Sequence, residues 1–120
     1  MVQEQRNIGH FDNSTLWVLE GHYGNDGYAF LFKMLGSLAL AEGHYLDLSD
    51  EAEATWVAFQ AKTLISRESC IGLFNLLVQL GVIDKELWEV RRIVWCQNYI
   101  DDLSKSFDYI GREVPKKPQV

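Results

Sequence analysis

Two cysteines, three histidines and a scatter of carboxylates are the side chains here able to do nucleophilic, acid–base or metal chemistry. Their spacing gives none of these chemistries a framework. Cys70 and Cys96 form no CxxC pair and have no histidine at ligand spacing, so they read as buried thiols of a reducing compartment. His10 with Asp12, and His22, offer a loose set, whereas a metal centre needs three or four converging ligands. His44 follows a turn and reads as a surface residue. There is no Ser/His/Asp order and no HExxH, and Gly24 and Gly27 follow no strand that would aim them at a phosphate. The expectation is a protein that is not an enzyme, with no catalytic residue, no metal and no cofactor.

The remaining chemistry is charge. Residues 1–60 carry two basic and nine acidic side chains, whereas residues 61–120 carry nine basic and eight acidic. Nucleic-acid binders present a basic face, and only the second half can supply one. The candidates are Arg67, Lys85, Arg91, Arg92, Arg112, Lys116 and Lys117. Asp84, Glu86 and Glu89 lie among them and cancel much of the local field. Any DNA contact by this domain alone is expected to be weak.

Four Trp, five Tyr and six Phe exceed what one small core consumes, so some rings are expected at a partner surface. Phe11 and Trp17 near the N-terminus, and Trp88 in a charged stretch, are the interface candidates, with self-association into a homo-oligomer as the expected use. The N-terminus lacks a signal-peptide core and no apolar run reaches membrane-spanning length. The expected setting is cytoplasmic, without a membrane.

The elements that must position these residues are mostly helical. Residues 1–10 read as a flexible arm, 11–111 as the domain, and 112–120, with Pro115, Lys116, Lys117 and Pro118, as a linker or tail. Asp12 or Asn13 can cap a helix to about Tyr23. Tyr23-Gly24-Asn25-Asp26-Gly27-Tyr28 then reads as a corner, because Gly24 tolerates positive φ and Asn25 or Asp26 can cap the next helix. That second helix, to about Glu42, has, before that end, its polar side chains at 26, 33 and 37, a narrow stripe, and is expected to be nearly surrounded. A short strand at 45–48 precedes a helix capped by Ser49-Asp50, with Asp50 and Glu53 resembling a capping box. Ser66 caps a helix to Gly81 whose outward stripe is Glu68, Gly72, Asn75 and Gln79. Val82-Ile83 and Ile93–Trp95 read as a hairpin around a charged tip, and a last amphipathic helix spans about 98–110 with Ile100, Leu103, Phe107 and Ile110 inward.

Mainly α with a small β-sheet, in the order helix-helix-strand-helix-helix-strand-strand-helix, is the layout of a winged helix. With Phe11-Asp12, the run Tyr23-Gly24-Asn25-Asp26-Gly27-Tyr28-Ala29, Leu35 with Leu38-Ala39, the strand at Tyr45-Leu46, Leu76-Leu77 with Leu80-Gly81, Ile83-Asp84 with Leu87, and Ile93 to Trp95 leading into Gln97, the chain resembles the winged-helix N-terminal domain of phage and mobile-element replication proteins related to DnaD. The similarity covers about residues 8–112, and the glycine-flanked run is its most specific part. The resemblance implies a role in replication initiation and replisome organisation, through self-association and contacts with replication proteins or DNA. The chain departs from a base-reading domain in one respect: its recognition-helix equivalent, 66–81, has Arg67 as its one basic residue. A winged-helix transcriptional regulator and a pure protein–protein interaction module are the alternative readings.

Overall fold

A computed structural model describes residues 13–111 and 113–120. Helix α1 (Asn13–Leu40) leads through a 3-10 turn (Glu42–His44) to strand β1 (Leu46–Asp47). Helices α2 (Glu53–Thr63) and α3 (Arg67–Gln79) follow, then a π-helical turn (Leu87–Arg91), strand β2 (Ile93–Val94) and helix α4 (Gln97–Ile110). The mainly helical chain with a small antiparallel sheet agrees with the sequence.

The corner falls where the glycine run places it. Gly24 takes φ 63° and ψ −143°, a conformation essentially closed to residues with a Cβ, and α1 bends there. Gly24→Ala is expected to cost about 2 kcal/mol, read as a lowered urea midpoint; an unchanged midpoint would mean that the bend does not depend on glycine.

Four rings from four segments build the centre of the core. Phe30 of α1 stands edge-on to Phe59 of α2 at 5.6 Å and to Phe74 of α3 at 5.0 Å, and Trp88 of the π-turn closes the set 4.9 Å from Phe74. Such offset and edge-on pairs add to the burial of each ring. Leu19, Leu31, Met34, Leu38, Leu73 and Leu77 pack around them, fully buried. A second cluster joins Leu87, Ile93, Trp95 and Ile100, with Val114 of the C-terminal segment against it. Ser66 caps α3 as the sequence indicates, accepting the Ser69 N–H at 3.1 Å.

Three local readings are corrected. First, α1 beyond the corner is not nearly surrounded: Phe30, Leu31, Met34 and Leu38 are buried, but Tyr28, Phe32 and Leu40 are exposed. Second, Ser49-Asp50 does not cap α2. The Asp47 carboxylate accepts the Ser49 N–H at 3.0 Å and turns the chain early, and α2 starts at Glu53 after Ala52, which offers no side-chain cap.

Third, no hairpin forms at 82–95. Strand β2 pairs with β1, Leu46 opposite Val94 and Asp47 opposite Ile93, and Leu48 N–H to the Arg92 carbonyl extends the ladder at 2.9 Å. Ile83-Asp84 touches that sheet through one backbone bond, Asp84 N–H to the Trp95 carbonyl at 2.9 Å. The charged tip is helical because Asp84 caps it, its carboxylate accepting the Leu87 N–H at 2.9 Å.

Candidate interaction surface

Trp88, expected at an interface, is fully buried. Its indole N–H donates to the Asn75 side-chain oxygen at 2.7 Å, and the Arg92 guanidinium covers the ring at 4.6 Å. Burying Leu87 and Trp88 is what draws the charged segment inward as a π-turn rather than outward as a wing. Two of the four positions on the outward stripe of α3 are engaged within the chain. Asn75 is committed to Trp88, and Gly72 lies under the Tyr23 hydroxyl, where a Cβ would collide.

The basic candidates are mostly engaged within the chain. Arg67 pairs with Glu53 at 2.8 Å and covers Trp56 at 4.7 Å, bracing α2 against α3. Glu53 is held below its ordinary pKa, chiefly by that hydrogen bond. Arg91 donates to the Gln119 carbonyl at 2.6 Å and faces a hollow shared with Asp47, Asp50 and Glu51. Lys117 pairs with Asp84 at 2.6 Å. Lys85 and Lys116 are exposed. Lys85, Arg91, Arg92, Lys116 and Lys117 therefore belong to the 84–92 segment and the C-terminal segment tied to it by the Lys117–Asp84 and Arg91–Gln119 contacts, interleaved with carboxylates, while Arg67 lies on α3. Arg112 and Phe11 lie outside the described residues, as do His10 and Asp12.

Burial raises the Asp84 pKa, but the Lys117 hydrogen bond, the Leu87 and Glu86 amides and the Lys117 charge outweigh it, so the net value falls below 3.8. A depressed folded pKa means a contribution complete above the ordinary value and lost as pH falls through the folded one. The Leu87 amide resonance is expected to titrate with a midpoint below 3.8, and Lys117→Ala is expected to raise that midpoint. A midpoint at or above the ordinary value would mean the Lys117 contact is absent in solution.

The thiols and imidazoles among the described residues are held within the fold or bonded locally. Burial pushes the Cys96 thiol up to about 11 and raises Cys70 as well, so both stay protonated and unreactive near neutral pH. His44, expected at the surface, is half-buried in the 3-10 turn with its ring 5.9 Å from that of Tyr99. His22 is exposed and its Nδ1 donates to the Val18 carbonyl at 3.0 Å. Among the described residues no three His, Cys, Asp or Glu side chains converge, and no helix is long and apolar enough to cross a membrane.

What stands open is aromatic. The bend at Gly24 brings Leu16, Trp17 and Glu20 to one hollow with Tyr28, and Phe32 continues the surface 5.6 Å from the Tyr28 ring. Trp17 is 78% exposed, whereas Trp56, Trp88 and Trp95 are each no more than 2% exposed. Trp17 was legible as an interface candidate. Tyr28 was read only as part of the corner, and Phe32 was missed, although their i, i+4 spacing on one helix face was available as a signal. Comparison with known protein families, curated proteins and solved structures finds no match.

Proposed function

We propose that this chain is an assembly domain, of the DnaD-like kind that the resemblance implies, which self-associates and meets replication proteins through the Trp17–Tyr28–Phe32 surface. The observation that carries the reading is the exposure of Trp17 beside Tyr28 and Phe32 in a chain whose other three tryptophans are buried. Contiguous exposed rings of this kind mark protein contacts.

The scaffold is a winged-helix variant: α2 and α3 stand before a strand that pairs with β1, but the stretch between α3 and β2 serves the core instead of extending as a wing. That variation favours protein contact over major-groove reading, because two of the four stripe positions on α3 are engaged by Trp88 and Tyr23 and none carries a basic side chain.

A second reading, phosphate contact, is favoured by the grouping of Lys85, Arg91, Arg92, Lys116 and Lys117 on the 84–92 segment and the C-terminal segment tied to it. Light scattering over a concentration series, with gel retardation of duplex and single-stranded DNA at two salt concentrations, separates the two. The assembly reading expects mass to rise with concentration and little salt-sensitive retention. A chain that stays monomeric yet retards DNA strongly at low salt would overturn it.

A further inference from the structure

A groove lies between the C-terminal half of α1 and α2, floored by Ala41, Leu46, Ala58 and Phe59 with Leu40 and Lys62 on its lip, enclosing about 170 Å³. Leu40 is 80% exposed there although it is a large apolar side chain. Ser37 forms part of the wall, and its buried hydroxyl has no hydrogen-bond partner. The rim is cationic: Lys33 reaches across from α1 and donates to the Lys62 carbonyl at 3.0 Å, leaving two ammonium groups at the same end. No described residue of the chain fills the groove.

We infer that the groove receives the Trp17–Tyr28–Phe32 surface of a second copy of this chain, so that assembly is head-to-tail. The inference rests on the assembly reading above and goes further by naming the receiving surface. Two observations carry it. The aromatic surface is edged with acid, Glu20 lining the hollow with Trp17 and Tyr28, while the groove is edged by Lys33 and Lys62. Pairing the aromatic surface with itself would set Glu20 against its own symmetry mate, whereas patch into groove sets acid against base.

At about 100° per residue, Tyr28 and Phe32 fall on one edge of the buried face of α1, and Lys33, Ser37, Leu40 and Ala41 on the other. One copy therefore presents both halves of the contact at once, without either covering the other.

A head-to-tail contact that does not close generates an extending array, and one that closes generates a ring. Mixing two defective variants tests this. Trp17→Ala removes the inserting ring and keeps the groove, while Ala58→Glu, at an exposed helix position, keeps the ring and places a carboxylate where Glu20 must approach. Circular dichroism establishes that both remain folded. Each alone is expected to sediment as a 13.8 kDa chain, with self-association weakened about thirty-fold or more. Their equimolar mixture is expected to form a two-chain complex and nothing larger, since only one intact patch and one intact groove remain per pair.

Two results would overturn the inference while leaving the assembly reading in place: Ala58→Glu assembling like the wild type, or a mixture that stays monomeric although Trp17→Ala abolishes assembly. A wild-type chain that is monomeric at every concentration would remove both.

Discussion

Trp88→Ala is expected to lower stability by about 3–5 kcal/mol, a large share of what a domain of this size possesses. The ring is fully buried, touches Phe74, carries Arg92 on its face and donates to Asn75. Truncation opens a cavity at the meeting point of α3 and the π-turn, and the charged segment 84–91 loses the anchor that holds it inward. Trp88→Phe keeps most of the packing and loses the hydrogen bond, for an expected cost of about 1 kcal/mol. Urea denaturation with an unchanged slope reads both. An alanine variant within about 0.5 kcal/mol of the wild type would place Trp88 at the surface, as its charged surroundings suggest, and would restore a wing-like loop.

Gly27→Ala is expected to cost about 3 kcal/mol, although glycine-to-alanine changes inside helices ordinarily stabilise. A Cβ at position 27 would run into the backbone carbonyl of Leu19 and come within 3.0 Å of the Tyr23 Cβ. Main chain cannot step aside as a flexible side chain can, so the corner must open. Opening it moves Leu16 and Trp17 away from Tyr28, and the same substitution is expected to impair assembly. Gly36→Ala is the control: nothing lies within 4 Å of its Cβ position, and a gain of up to about 1 kcal/mol is expected there. Equal effects at the two positions would mean that the two arms of α1 do not touch at Gly27.

The comparison of these residues shows what the sequence carries and what it does not. Local signals were legible where one residue decides: Gly24 at the bend, Ser66 at the start of α3, Gly111 with φ 76° at the end of α4. The mainly helical class and the strand at 45–48 were legible for the same reason. The hairpin was not, because two short apolar pairs flanking charges satisfy a strand pattern and a capped helical turn equally. Which one forms depends on whether Trp88 finds a cavity, and the walls of that cavity come from Phe74 and Asn75 on another element.

The site divides in the same way. Trp17 was visible as a ring near the N-terminal arm. The basic candidates all lie in the second half of the sequence, but the engagement of Arg67, Lys117 and Arg91 by Glu53, Asp84 and the Gln119 carbonyl is tertiary and no spacing rule encodes it. The outward stripe of α3 illustrates the limit best. Glu68, Gly72, Asn75 and Gln79 have the period of a solvated face, yet two of the four are used by Tyr23 and Trp88. Periodicity reports which way a residue points, not what comes to meet it.

Because Trp17 is the one exposed indole among four, acrylamide quenching of tryptophan emission across a series of chain concentrations reads the proposed contact directly. The account predicts a quenchable class at high dilution that disappears as the chain assembles, and that is missing at all concentrations in Trp17→Phe. A quenchable fraction that stays constant while the mass rises would show that assembly uses another surface, and would contradict the assignment of the Trp17–Tyr28–Phe32 face.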